Sequence, residues 1–218
     1  MIYSAKHKNN TDVSKEDSRV STIIGALLYL PDYMVWTILR NSCFKGDSLP
    51  VYAGVLELYQ FWPTWNAKNT DNTNNVSPDV FLRFENFDII IEAKRSDWFP
   101  SQDTGQWENE LQAYNNEFSI NNKDVYLLAL GGNNSETKNG TAKVNGEDKT
   151  VYRCSWANMH FEISKLQTEY NLKRILDALH IACALFGFHP YSWLADKTDL
   201  VSKLSIDCSE NKKLFIRE

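Results

Sequence analysis

Cysteine, basic charge and long apolar runs are all scarce in this sequence. The four cysteines lie far apart and form no CxxC pair, which argues against a zinc site and against a disulfide scaffold; they are Cys43, Cys154, Cys183 and Cys208. Lysine and arginine total 23 against 28 acidic residues, so the net charge of −5 provides no overall basic field for nucleic acid or a membrane surface. Binding of a polyanion would therefore depend on a local patch or on a metal ion.

Targeting and membrane signals are also missing from the pattern. Residues 1–8 are followed by polar residues and include no apolar core of a signal peptide. The most apolar window, residues 22–39, is interrupted by Pro31 and Asp32, and its uninterrupted part is too short to cross a bilayer. We therefore expect a cytoplasmic protein with no membrane partner.

The composition that remains is typical of a soluble globular domain. The 218 residues are 43% hydrophobic and 23% charged, which excludes a disordered chain, a collagen-like chain and a coiled coil. Since no internal repeat and no clear linker divides the sequence, we expect a single domain over residues 1–218.

Two kinds of periodicity alternate along the chain and predict an α/β fold. Apolar residues at helical spacing predict helices from about residue 14 to residue 31 and over residues 33–43, 104–118 and 172–186. Runs of β-branched and aromatic residues predict strands over residues 51–62, 79–84, 87–93, 125–130 and, at an edge, 151–156.

Loops and the central strand follow from the same pattern. Residues 66–77 are too polar to bury anything and are expected to form a solvated loop, and residues 131–146 a long polar turn region. Ile89, Ile90 and Ile91 make one strand apolar on both faces, so that strand is expected to be central and covered by helices. The predicted architecture is a mixed central sheet flanked by helices.

The residues that indicate chemistry lie in the predicted central hairpin. Asp79 opens its first strand, and Glu92 and Lys94 end its second strand. Side chains two apart on a strand share a face, so Glu92 and Lys94 point the same way while Ala93 points away. Because the turn folds the strands back on each other, two carboxylates and an ammonium group are expected to converge at one end of an apolar sheet.

This set of groups suits metal-assisted hydrolysis of a phosphodiester bond. Two carboxylates in a partly buried spot repel each other unless a cation or a shared proton compensates. Mg²⁺ takes oxygen ligands and typically one or two protein carboxylates, the rest being water and phosphate. A lysine beside such a site can orient or deprotonate a water molecule, or stabilise charge on a phosphoryl oxygen. The plainer interpretation is a solvated surface pair at a strand end; the hairpin spacing and the apolar strand favour the site.

Pro78-Asp79 with Glu92-Ala93-Lys94 resembles the signature of the PD-(D/E)xK, restriction-endonuclease-like superfamily of nucleases. The resemblance covers about residues 14–130 and implies an αβββαβ core, to which a C-terminal strand and helices in residues 150–218 are added.

The resemblance also implies roles for individual residues. Asp79 and Glu92 would bind Mg²⁺, for which Mn²⁺ can substitute, with the backbone carbonyl of Ala93 as a further ligand. Lys94 would assist the attacking water. Many members have an acidic residue on the first helix, and Glu16 is the candidate here. Glu16 equally fits a first helical turn after a Ser14 N-cap.

The helix after the motif departs from the exonuclease-type members of the superfamily, which have Gln-x-x-x-Tyr there. Tyr114 matches the tyrosine, but Glu110 stands where glutamine would be, and Gln106 lies one turn earlier. Gln106 is a catalytic candidate, although its spacing from Asp103 also fits a capping box. Tyr114 lies on an apolar stripe and is assigned to the core.

Candidates for substrate binding follow the motif. Arg95 is next to Lys94, and Trp98 and Phe99 lie on the loop beside the predicted site, where an aromatic ring can stack on a base.

These observations lead to the hypothesis of a Mg²⁺-dependent nuclease that hydrolyses the phosphodiester bonds of DNA with a metal-activated water. The acidic balance keeps two alternatives open. One is a non-catalytic nucleic-acid-binding or assembly module with the same fold. The other is a nuclease whose DNA affinity comes from a partner subunit or from a homodimer.

Overall fold

The computed structural model describes residues 15–118, 123–134, 136–166 and 170–188. The chain divides into two units, Met1–Phe188 and His189–Glu218, and all of the described residues belong to the first. Ser14 and the part of the predicted C-terminal region after Phe188 lie outside the described residues.

From residue 15, where the described part of the chain begins, two α-helices precede the sheet. Helix α1 spans Glu16–Leu27 and helix α2 spans Asp32–Ser42. The buried side of α1 has the spacing of an amphipathic helix, since Val20, Ile23, Ile24 and Leu27 are all buried. Pro31 separates the helices and occupies the N-cap position of α2, as expected for a residue that cannot continue a helix.

The described residues after these helices include eight strands, and six of these strands form one mixed sheet. The strands are β1 (Leu56–Phe61), β2 (Trp65–Asn66), β3 (Asn75–Val76), β4 (Val80–Phe84), β5 (Phe87–Ala93), β6 (Asp124–Leu130), β7 (Gly140–Val144) and β8 (Glu147–Cys154). The order in the large sheet is β1-β4-β5-β6-β8-β7, with β5, β6 and β8 parallel and the other pairs antiparallel. The predicted mixed α/β sheet is confirmed, and the Ile-Ile-Ile strand is central and fully buried.

Helices cover both faces of the large sheet. Helix α3 (Thr104–Phe118) connects β5 to β6, and helices α4 (Trp156–Lys165) and α5 (Lys173–Leu185) follow β8. Ile89 and Ile91 pack in the core that includes α1, α2, α4 and α5, whereas Ile90 packs in the second core with α3. The alternation along β5 therefore decides which of its side chains reach α3.

Two loop predictions are wrong. Residues 131–146 include the edge strand β7, so β8 is not an edge strand but lies between β6 and β7. The pairing of β7 with β8 buries Ala142 and Val144, a pattern too short to recognise among polar neighbours. Residues 66–77 are not wholly solvated either, because β2 pairs with β3 and Val76 is buried against α3.

The wide spacing of the cysteines gave no sign of a disulfide, but the structure contains one. Cys43 and Cys154 form a disulfide at a point where their backbones make an antiparallel bridge, although 111 residues separate them in sequence. The order of the strands places the end of β8 beside the end of α2, and the spacing of residues in the sequence does not indicate such a long-range contact. In the part of the chain that the structure describes, no helix has the length and apolar character needed to cross a membrane.

Reduction of the Cys43–Cys154 disulfide is expected to lower the melting temperature by about 5 to 10 °C, because opening so long a loop restores entropy to the unfolded chain. Thermal denaturation with and without a thiol reductant measures this change. In Cys43→Ala/Cys154→Ala the reductant should have no effect. An equal effect of the reductant on both proteins would contradict the expectation.

Candidate active site

The β4–β5 hairpin places Asp79 opposite Glu92. Val80 pairs with Ile91 in the antiparallel register, so the next pair outward joins these two carboxylates. Asp79 Oδ1 accepts a hydrogen bond of 2.9 Å from the Trp62 indole, and Oδ2 accepts one of 2.9 Å from the Ala93 backbone N–H. Asp79 is only 7% exposed, and these two donors fix its orientation.

Glu92 and Lys94 share a face of the chain at the end of β5, as the strand alternation predicts. Lys94 Nζ donates to Glu92 Oε1 at 2.5 Å and to Gln106 Oε1 at 3.0 Å. Gln106 lies on the first turn of α3, and its amide nitrogen donates to Glu110 Oε1 at 3.2 Å. The structure therefore brings Asp79, Glu92, Lys94 and Gln106 together.

Glu110 is a member of this cluster that the sequence analysis did not select. It is 1% exposed, and the Glu92 carboxyl lies within hydrogen-bonding reach of it. Its Oε2 atom is buried and has no hydrogen-bond donor among the described residues. One signal in the sequence pointed to it: a glutamate on the same helical face as Gln106 and Tyr114, one turn from each.

Glu16 reaches the cluster from the other helical layer. It lies at the start of α1, where Lys15 rather than Ser14 holds the N-cap position and makes no side-chain cap. Burial raises the pKa of Glu16, Lys94 and the backbone N–H of Arg95 lower it, and Glu92 raises it further; the net direction is upward. Glu16 is thus close enough to interact with both Lys94 and Glu92.

The cluster contains more negative groups than positive ones. Burial, followed by repulsion from Glu92, holds the pKa of Asp79 well above its ordinary value. The same two causes hold the pKa of Glu110 well above its ordinary value. Burial alone would lower the pKa of Lys94, but the carboxylates of Glu92, Glu16 and Asp79 outweigh it and raise that pKa. Lys94 therefore stays charged, and among the described residues it is the one cation within this group of carboxyls.

This imbalance is what a divalent cation relieves. Among the described residues no three His, Cys, Asp or Glu side chains are arranged as a metal-binding group. A magnesium site, however, typically uses only one or two carboxylates. Asp79 and Glu92 provide those oxygens beside a Glu110 oxygen that lacks a donor, and the raised pKa of Asp79 shows that ionising these buried carboxyls together is unfavourable without a further cation. The donor set therefore fits Mg²⁺ or Mn²⁺, with Ala93 adjacent in the chain.

Two loops, which contain Gln102 and Gly132, hold Lys94 and the end of β5 in position. The Gln102 side chain donates to the backbone oxygens of Glu92, at 3.3 Å, and Gly131, at 2.9 Å. Gly132 has a φ of +66°, and a Cβ at that position would lie 2.8 Å from the Cβ and Cγ of Lys94. A glycine is therefore required for Lys94 to take its place at the site.

The remaining candidates lie beside the cluster or away from it. Arg95 is exposed, its backbone carbonyl accepts a hydrogen bond from the Arg19 guanidinium, and Trp98 lies three residues further along.

Tyr114 is a core residue, as predicted: it is 3% exposed, and its hydroxyl donates to Asp88 at 2.8 Å. Asp88 lies near the start of β5, away from Glu92 at its end, and forms a buried ion pair with Arg83.

Without a metal ion, the buried carboxyls should make the fold less stable as the pH rises. Ordinary values are 3.8 for Asp79 and 4.5 for Glu110, and in the folded chain both pKa values lie higher. Above the ordinary values the folded state consequently binds more protons than the unfolded state, so the free energy of unfolding falls with rising pH. Glu110→Gln removes one of these groups and should flatten that slope. Thermal denaturation in a chelator, from about pH 4 to about pH 8, measures the slope.

The control for this measurement is Glu136→Gln, at an exposed carboxyl on the loop before β7. Its slope should equal that of the wild type. Equal slopes for Glu110→Gln and the wild type would show that the pKa of Glu110 is not raised in the folded chain.

Comparison with known proteins places the chain in a family. It is 30% identical over 196 residues to the uncharacterized protein PM0110 of Pasteurella multocida (strain Pm70), an alignment that covers 82% of this chain and 73% of that protein. No family model matches the chain, and no solved structure matches it. With that identity across most of both proteins, the chain belongs to the family of the Pasteurella multocida protein PM0110.

Proposed function

We propose that the protein is a metal-dependent nuclease of the PD-(D/E)xK type that hydrolyses the phosphodiester bonds of DNA. The observation that supports this best is the buried cluster of Asp79, Glu92 and Glu110 with a single lysine inside it. A structural ion pair needs one acid for one base, whereas this cluster has an excess of acids. That excess is typical of a site completed by a divalent cation and a phosphate.

The order of elements supports the same proposal. Over Glu16–Leu130 the order is helix, helix, three strands of the large sheet, helix and strand, with the small β2–β3 ribbon inserted after β1. Asp79 and Glu92 lie at the meeting ends of the second and third of those strands. This is the position that the superfamily resemblance implies for the metal ligands.

Asp79, Glu92 and the carbonyl of Ala93 would hold the cation. When bound, Mg²⁺ supplies positive charge to the phosphoryl oxygens and to the attacking water. Lys94 stays protonated because its carboxylate neighbours raise its pKa, so it acts as a donor rather than as a base. Its ammonium group can orient the water or stabilise charge on the phosphoryl oxygen. Gln106 holds that ammonium group in place through its side-chain oxygen.

Glu92→Gln and Lys94→Met are each expected to reduce DNA cleavage by at least about 100-fold, since each removes a charge from the reacting centre. Both substitutions preserve side-chain size, but each breaks the buried Glu92–Lys94 salt bridge, so cleavage is compared at a temperature below the melting temperature of every variant. Digestion of plasmid and oligonucleotide DNA in Mg²⁺, with thermal denaturation of the same samples, measures both properties.

The chain contains a matched control for this experiment. Glu147 and Lys149 form the same Glu-x-Lys pattern on β8, with a salt bridge of 2.8 Å, but their side chains are 73% and 48% exposed. Glu147→Gln and Lys149→Met should cleave as the wild type does. If Glu92→Gln and Lys94→Met also cleave normally, the proposed site is wrong.

Removal of one ligand should abolish binding of the metal. Asp79→Asn keeps an oxygen that can accept one of the two buried hydrogen bonds, whereas Asp79→Ala would leave both the Trp62 and Ala93 donors unpaired. Isothermal titration of Mn²⁺ in the presence of a non-cleavable oligonucleotide should show binding to the wild type and none to Asp79→Asn. Equal binding by the two proteins would exclude Asp79 as a ligand.

The net charge of −5 favours a second candidate, a module with this fold that binds or assembles without cleavage. Fluorescence polarisation with DNA distinguishes the two functions. Binding that is independent of Ca²⁺, with no cleavage in Mg²⁺, would favour the module. Cleavage that appears only with a co-purified partner or at dimer-forming concentrations would assign the missing DNA affinity to another subunit.

A further inference from the structure

A cleft with a volume of about 670 Å³ opens directly from the carboxylate cluster. Glu16 and Lys94 belong to its lining, so it is continuous with the cluster. The loop after β5, which includes Trp98 and Phe99, also lines it. A group bound in this cleft would therefore lie close to Glu16 and Lys94.

The loop presents two neighbouring aromatic rings to solvent although its backbone is held in place. Asp97 accepts hydrogen bonds from the backbone N–H groups of Trp156 and Ala157 at the start of α4, at 2.9 and 3.0 Å. Even so, Trp98 is 77% exposed and Phe99 is 73% exposed. Exposed large apolar groups on an anchored loop are typical of a binding surface.

Three basic residues, Arg19, Lys94 and Arg95, line the cleft together with two acidic ones. Arg95 is exposed at its edge. Arg19 lines it as well, held over the rings of Trp156, Phe186 and Phe188 at 5.2 to 5.8 Å. Of the two carboxylates in the lining, Glu16 belongs to the cluster, and Asp97 is bound to the start of α4.

A second cavity, of about 400 Å³, has different chemistry. Gln106 and Glu110 of the cluster line it together with Asp71 and Asp103. Among the described residues that line it, none is basic. The lining of the first cleft therefore favours a polyanion more than the lining of this cavity does.

We infer that the substrate of the proposed nuclease is single-stranded DNA, with unpaired bases stacked on Trp98 and Phe99 and the adjoining phosphates near Arg95. The inference rests on the proposed function. A base within a duplex is already stacked on its neighbours, so an exposed ring gains nothing from it, whereas an unpaired base can cover the ring. Duplex binding would instead depend on many phosphate contacts, and a chain with a net charge of −5 offers few of them.

The test measures binding and cleavage separately. Binding of a labelled single-stranded oligonucleotide is followed by fluorescence polarisation in Ca²⁺ with the Glu92→Gln protein as background. Adding Trp98→Ala or Phe99→Ala should weaken binding about tenfold or more, since each removes one stacking ring. Tyr52→Ala is the matched control, because Tyr52 is an aromatic residue with 83% exposure that does not line the cleft, and it should leave binding unchanged.

Cleavage in Mg²⁺ then compares the single strand with its duplex, using the otherwise unmodified chain. Preferential cleavage of the single strand, with a raised KM in Trp98→Ala, would support the inference. Equal or better cleavage of the duplex, or unchanged single-strand affinity in both ring variants, would overturn it. Single-strand binding that depends on Trp98, with no cleavage of either DNA by the chain alone, at dimer-forming concentrations or with co-purified protein, would support the cleft and disprove the nuclease.

Discussion

The constraint on which the centre of this protein depends is the burial of carboxyl groups at the end of β5. Asp79, Glu92 and Glu110 are each at most 7% exposed, and in the part of the chain that the structure describes Lys94 alone compensates them inside the cluster. Hydrogen bonds from neighbouring groups hold this arrangement in place. The Trp62 indole and the Ala93 N–H donate to Asp79, and the Gln106 side chain donates to Glu110 and accepts from Lys94. A fold under selection for stability alone would pair such groups or leave them in water.

The alternation along β5 places this cluster. Asp88 and Glu92 lie on the same face of the strand as Ile90, towards α3, while Ile89 and Ile91 pack among the other helices. Because α3 connects two parallel strands, it runs back along β5. Tyr114 on α3 therefore meets Asp88 at the start of the strand, whereas Gln106 meets Lys94 at its end. One strand thus has a closed ion pair at one end and an unbalanced cluster at the other.

The two Glu-x-Lys patterns show what a short motif can and cannot report. Glu92 and Lys94 lie at the end of the buried strand β5, next to α3, whereas Glu147 and Lys149 are exposed on β8. The spacing is identical, and the salt bridges are similar in length. What differs is burial and the presence of further carboxyls, and the flanking Ile-Ile-Ile run was the feature of the sequence that anticipated this difference.

The sequence by itself determined the helices before the sheet, the central hairpin, α3 and the meeting of Asp79, Glu92 and Lys94, because these follow from local periodicity and a short turn. Tertiary structure alone decided the rest. The pairing of Cys43 with Cys154 depends on where β8 enters the sheet, and the edge strand β7 depends on its pairing with β8 and its packing under α3. Glu110 joined the cluster, and Gly132 became necessary, through contacts between segments distant in sequence, which periodicity does not encode.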